Sequence, residues 1–299
     1  MRAYILLLIT VVLMSGCTTY TPTEQLQDLM QTYHEETLKM NPLRATYQGD
    51  TRYNNYLPNY LSDDVMRKHK AFYKDILEEL SNIDYKSLSE EDQLSKEILI
   101  WECEISLMGM EFPRELLPID QMWTLQLTIG QLATGTGAQP FKTVEDYENW
   151  LSRVDDYVVW LSSAKTRMAE GIEQGVVLPK SLIRKVVPQL ASITQADLEK
   201  NIFYTPARNF PADFTESQKE KLSKAYADMV TNKIIPAYQS LLEFMGNEYL
   251  QAGLNSSGFD AYSFGEDYYN YAIRLYTTTD MTADEIHQIG LDEIARLRK

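Results

Sequence analysis

Cys17 is the residue whose neighbours define a chemistry most narrowly. Arg2 supplies a positive charge, the run from Ala3 to Met14 is nearly all apolar, and Met14-Ser15-Gly16-Cys17 closes it. The run is shorter than the ~20 residues a helix needs to span a bilayer, which makes it the apolar core of a signal peptide. A bulky apolar residue, two small residues and a cysteine form the pattern of a lipobox. The small side chains admit the backbone to the peptidase, and the thiol is nucleophilic enough to take diacylglycerol as a thioether. Residues 1–17 therefore read as a lipoprotein signal peptide with lipobox, with Cys17 as the lipid attachment residue and the start of the mature chain. Each buried methylene of an attached chain contributes ~0.8 kcal/mol, so the expected partner is a membrane, held through lipid on Cys17. The expected location is the cell envelope: in a Gram-negative cell, the outer or inner membrane, facing the periplasm.

Other reactive residues are placed less tellingly. His34-Glu35-Glu36-Thr37-Leu38 begins like a zinc-protease helix, in which His-Glu-x-x-His sets two imidazoles one turn apart on one ion, but Leu38 stands where the second ligand belongs. His34 is expected to be a partly exposed helix residue. His69 lies in the basic run Arg67-Lys68-His69-Lys70, which would oppose a cation, and reads as solvated surface. His287 borders an apolar stripe of Ile286, Ile289, Ile294 and Leu297, the position of a packed helix histidine. Ahead of it come Tyr262, Tyr268, Tyr269, Tyr271 and Tyr276, with Arg274 among them. Such a stripe is usually core with satisfied hydroxyls, and it could also wall a peptide or sugar groove. Cys103 has no His and no Lys/Arg cluster beside it to activate a thiolate, and reads as a small buried hydrophobe. There is neither a P-loop nor a Gly-x-Ser-x-Gly elbow, and Gly135-Thr136-Gly137 lacks the third glycine of a dinucleotide fingerprint.

The elements that carry these residues are helices. Thr21 with Glu24, Ser89 with Asp92, Thr143 with Asp146, Thr215 with Gln218, and Thr282 with Glu285 each have the spacing of a capping box, and each precedes apolar residues recurring at three and four. Pro236 is expected to kink or break the run after Thr215. Two-residue alternation is nearly absent. Breakers at Asn41-Pro42, Gly49-Asp50, 135–140, 175–179, 205–211 and 253–258 separate helical lengths. The body is predicted to be all-α, one multi-helix domain over residues 21–299. Apolar residues at 44% and charged residues at 24% are enough for a real core without disulfides. The net charge of −15 repels phosphate backbones, so nucleic acid is excluded as a partner.

Glu266-Asp267-Tyr268-Tyr269, Leu275-Tyr276-Thr277-Thr278-Thr279 and the run from Met281 to Leu291 resemble the family called domain of unknown function 885. Further matching stretches are Asn41-Pro42 with Gly49-Asp50 and Arg52-Tyr53-Asn54, Glu145-Asp146-Tyr147 with Trp150-Leu151, and 175–179. The resemblance runs from about Leu26 to the end. It implies bacterial proteins, often lipoproteins, that look like zinc metallopeptidases. It also implies a chain about twice this long, whose His-Glu-x-x-His helix would follow Lys299. The fold expected is thus the N-terminal half of a larger helical, zincin-like metallopeptidase, truncated at the C-terminus. No catalytic residue and no metal ligand carries over, so no cofactor is expected in this chain. Zinc, with a peptide substrate, is expected only in the intact protein. Tyr268, Tyr269, Arg274, Thr277 and His287 are the residues expected to line its cleft. The alternative reading is a non-catalytic envelope lipoprotein that binds a peptide, glycan or protein partner.

Overall fold

A computed structural model of the chain describes residues 20–298, so Cys17 and the rest of residues 1–17 lie outside the described residues, as does Lys299. The helices run α1 Pro22–Met40, α2 Pro42–Tyr47, α3 Asp63–Asn82, α4 Glu90–Gly109, α5 Leu125–Leu132, α6 Val144–Gln174 and α7 Lys180–Ile193. They continue as α8 Thr205–Arg208, α9 Glu216–Met229, α10 Ile235–Phe244, α11 Leu250–Ala252, α12 Gly265–Thr277 and α13 Ala283–Leu297. No strand occurs among the described residues; one isolated parallel bridge joins Pro179 to Leu254. The fold is all-α.

Every predicted cap starts a helix. Thr21, Thr143, Thr215 and Thr282 form reciprocal boxes, in which the residue at N3 returns a hydrogen-bond acceptor to the cap backbone. Ser89 accepts from the Asp92 N–H at 3.1 Å. The run through Pro236 stays helical: a π-turn over Val230–Ile234 leads into α10, and Pro236 sits in the first turn of α10. α6 stops at Gly175, whose φ of 73° suits the left-handed cap that glycine adopts without strain.

Two apolar clusters form the core. In the smaller, Leu26 of α1, Ile76 and Leu80 of α3, and Leu99 and Cys103 of α4 close on one another. In the larger, α6 points Tyr147, Trp150, Val154, Tyr157, Leu161, Ala164 and Met168 inward at alternating steps of three and four. Against them pack Ile183, Val186 and Leu190 of α7, Leu222 and Tyr226 of α9, and Tyr238 and Leu241 of α10. Polar bonds tie the segment after α2 to α6: Asp156 accepts from the Leu57 N–H (2.9 Å), Asn59 donates to Ser163 Oγ (2.7 Å), and Arg167 donates to the Leu61 carbonyl (2.9 Å) and pairs with Asp63.

Two expectations about histidines need correction. His69 is half-buried rather than solvated, because α3 turns that position toward the protein. His287 is exposed rather than packed, because no residue of α13 is buried. The apolar stripe of α13 is real but uncovered: Ile289, Leu291 and Ile294 are each about half exposed and Leu297 is 73% exposed.

Candidate functional site

α12 reaches the rest of the protein through aromatic rings. Phe112, just after α4, meets Tyr268 edge-on at 5.2 Å and Tyr271 at 5.3 Å, and Phe259 lies 4.9 Å from Tyr268. Tyr262 donates to the Val177 carbonyl at 2.9 Å. Of the tyrosine stripe only Tyr271 is fully buried; Tyr269 and Tyr276 are exposed. Arg274 lines a cavity of about 290 Å³ with Trp101, Glu104, Ile105, Leu107 and Met108 of α4, and its Nε lies 3.7 Å from Asp280. Thr277 Oγ1 is engaged with the Ile273 carbonyl at 2.8 Å. The structure therefore brings Tyr268 and Arg274 to the α4 side and leaves Tyr269, Thr277 and His287 exposed.

The described residues do not fit a zinc centre. Among the described residues no three His, Cys, Asp or Glu side chains converge. The histidines sit on three different helices, α1, α3 and α13. His34 is exposed, and its neighbour Glu35 is committed to Arg52 at 2.8 Å, which holds the carboxyl below its usual range. Cys103 is buried, and burial, with Glu102 and Glu104 beside it, pushes its thiol up to about 12, so it is inert at neutral pH. Among the described residues no helix is long and apolar enough to cross a membrane.

Two polar constellations went unnoticed in the sequence. Arg153 is completely buried on the inward face of α6. Its guanidinium donates to Gln139 Oε1 (2.6 Å), Thr46 Oγ1 (3.0 Å) and the carbonyls of Tyr53 (2.5 Å) and Tyr56 (3.3 Å). All four acceptors are uncharged, and burial draws its pKa down to about 10, so it remains a cation at neutral pH. Thr46 in turn donates to the buried Asn54 Oδ1 at 2.7 Å, and Arg52 pairs with Asp50 at 2.6 Å. Arg153 thus pins the segment from Asp50 to Leu57 to α6, together with the bond from the Leu57 N–H to Asp156. The signal for it was present: Arg153 falls between Trp150 and Tyr157 on the apolar stripe, where a surface arginine has no place.

The second constellation is a cavity of about 350 Å³ between α5 and α7, with Gln126 and Gln189 in walls otherwise rich in Leu and Ile. Gln126 is 4% exposed. Isolated glutamines in helical runs carry no sequence signal, since the same pattern serves for a solvated face.

A family model described as "Bacterial protein of unknown function (DUF885)" matches residues 42–299. The fold also matches the crystal structure of a "putative lipoprotein" from Colwellia psychrerythraea, with a TM-score of 0.79 and 19% identity, over 92% of this chain and 49% of that one. At that identity the likeness is one of fold. The chain spans about half the length of the solved protein it matches. Comparison with curated proteins finds no match.

Proposed function

Because the chain belongs to the DUF885 family of bacterial proteins, we propose that it is the N-terminal helical part of a lipid-anchored cell-envelope protein whose intact form hydrolyses peptides at a zinc centre supplied from outside these residues. The observation that carries the reading is the lack of cover on α13, where Ile289, Leu291, Ile294 and Leu297 stand 47–73% exposed. A solved protein of the same fold is about twice as long, so it has the bulk to cover such a face. The role proposed for this part is to hold the wall of a substrate channel. Alone it is expected to lack hydrolase activity, because its own histidines and carboxylates do not converge.

Resequencing the locus beyond codon 299 tests this. A His-Glu-x-x-His helix in frame, or recoverable by one frameshift, is expected; a clean stop followed by unrelated sequence overturns the reading, as does zinc-dependent peptide cleavage by the purified chain. Lipid attachment is tested separately, by labelling with radioactive palmitate: Cys17→Ser is expected to abolish the label. The rival reading, a non-catalytic envelope lipoprotein that binds a peptide, glycan or protein partner, is favoured by the cavity beside Gln126 and Gln189.

A further inference from the structure

We propose that the outer face of α4 docks a basic amphipathic helix, one whose apolar stripe is flanked by Lys or Arg. α4 has two apolar faces. Leu99 and Cys103 turn into the smaller core, while Leu94, Ile98, Trp101, Ile105 and Met108 recur at steps of four and three along another side. Near the α12 end this second stripe is covered, and Ile105 is buried. Toward the N-terminus it is bare: Leu94 and Ile98 are 57% and 53% exposed, and Trp101 is half-buried at the edge of the cavity that Arg274 lines. At a rise of about 1.5 Å per residue the stripe is ~21 Å long, room for about four turns of a second helix laid along it.

Charge identifies the occupant. By helical spacing Glu91 and Glu102 border the stripe on one side and Glu97 and Glu104 on the other, and all four are exposed. None of them pairs with Lys or Arg among the described residues, and Glu97 meets the Tyr85 hydroxyl at 2.5 Å. Elsewhere on the surface Glu111, Glu148 and Asp155 each have such a partner, in Lys70, Lys221 and Lys233. The only lysine of α4, Lys96, is buried and donates to the Ile83 carbonyl at 2.7 Å, so it neutralises nothing along the stripe. These carboxylates would repel an anionic lipid surface, and a second copy of the chain would bring four more against them. A helix with cations on both sides of its apolar stripe covers Leu94 and Ile98 and meets the carboxylates together. Arg274 sets its direction: the guanidinium is only loosely paired with Asp280, at 3.7 Å, and would face the C-terminal carbonyls of the docked helix.

Docking here needs no metal and no cleavage, so this site and the proposed hydrolysis stand or fall separately. The probe is a synthetic amphipathic helix of leucine and lysine, about four turns long, titrated into the whole chain with its isoleucine methyl groups labelled with carbon-13. Saturable shifts of the Ile98 and Ile105 methyl signals are expected, with an affinity that falls as salt is added. The same helix with glutamate in place of lysine is expected not to bind. Leu94→Ser with Ile98→Ser, at two exposed positions that the fold does not depend on, is expected to weaken the lysine helix by about tenfold, read at Ile105. Glu97→Gln with Glu102→Gln and Glu104→Gln is expected to weaken it and to flatten the salt dependence. No saturable shift at Ile98 and Ile105 would overturn the proposal, as would shifts confined to Ile289 and Ile294 of α13. Equal binding of the two helices, or undiminished affinity in the serine variant, would do the same. So would movement of the Ile98 signal with protein concentration alone or with phosphatidylglycerol vesicles, which would make the occupant a second copy or a membrane. A chain extended past residue 299 in which Ile98 no longer answers the probe would also overturn it, by giving the stripe to the extension.

Discussion

Replacing Arg153 by methionine should destabilise the fold by ~1 kcal/mol, the balance of two opposed effects. On one side, four acceptors lose their donor. Thr46 keeps its bond to Asn54 and the Tyr53 carbonyl keeps the Tyr56 N–H at 3.2 Å, which leaves the Tyr56 carbonyl and Oε1 of Gln139 without a donor. At ~1–3 kcal/mol each, with 2 as the middle value, that is a loss of ~4 kcal/mol. On the other side, methionine removes a buried charge. The guanidinium sits at about 10 rather than its ordinary value, and at about 1.4 kcal/mol per pH unit the relief is ~3 kcal/mol. Urea unfolding followed by circular dichroism measures the difference, and the thermal midpoint should fall by ~2–4 °C for a chain of this size. Hydrogen exchange should quicken first between Asp50 and Leu57, the segment that the arginine holds. Pairing the change with Gln139→Leu should recover part of the loss, because removing donor and acceptor together leaves fewer groups unsatisfied. A variant as stable as the parent, with unaltered exchange over that segment, would refute the assignment of Arg153 as a clamp.

Gly109→Ala tests how α12 is seated. A methyl at Gly109 would overlap the Tyr271 hydroxyl and lie 2.8 Å from its ring carbon Cζ, so the Tyr271 ring that seats α12 on α4 must move. The expected cost is ~1–3 kcal/mol, seen as faster hydrogen exchange over Gly265–Thr277 with α6 unchanged; equal protection of α12 in the variant would show that the contact does not seat it. Acid sensitivity should trace in part to His69, whose pKa burial holds below the ordinary value of 6.5. Above that value both folded and unfolded chains are neutral at His69 and it has no effect. As the pH falls below it the unfolded chain takes the proton first, so stability is lost until the folded pKa is passed. His69→Gln should therefore lose less in thermal midpoint between pH 7.5 and 5 than the parent; equal losses in the two proteins would show that His69 contributes nothing to the acid response.

The fold was legible where local rules and burial agree. Thr21, Thr143, Thr215 and Thr282 could be read as helix starts because a capping box is a contact between residues three apart, independent of tertiary context. The inward face of α6 followed from its periodicity, and burial of Cys103 followed from its inactive surroundings. What stayed hidden depends on partners distant in sequence. Arg153 is satisfied by residues 97 to 107 positions away as well as by nearby Gln139, and nothing local to α6 announces them. His69 lies in a basic run that looks solvated, yet α3 turns it inward. His287 was misread for the converse reason: an apolar stripe signals that a face favours burial, and on α13 no described residue provides it.

The stretches that carried the family resemblance turn out to shape the scaffold. Asp50, Arg52, Tyr53 and Asn54 build the segment held by Arg153, and 175–179 carries the bridge to Leu254, with Leu178 bonded through its N–H to the Tyr249 hydroxyl at 3.0 Å. The free energy still to be gained lies instead on α13. An isolated helix of its 15 residues is marginal in water, and a capping box adds only ~1 kcal/mol. Covering the exposed parts of Ile289, Leu291, Ile294 and Leu297 would contribute ~4–6 kcal/mol. A separate partner binding this face alone would set that gain against an association cost of ~4–15 kcal/mol in lost translational and rotational freedom. A segment tethered to the same chain avoids most of that cost, because its effective concentration is set by the connection. The size of the uncovered face therefore favours an occupant joined covalently to α13, which is the arrangement proposed for the intact protein.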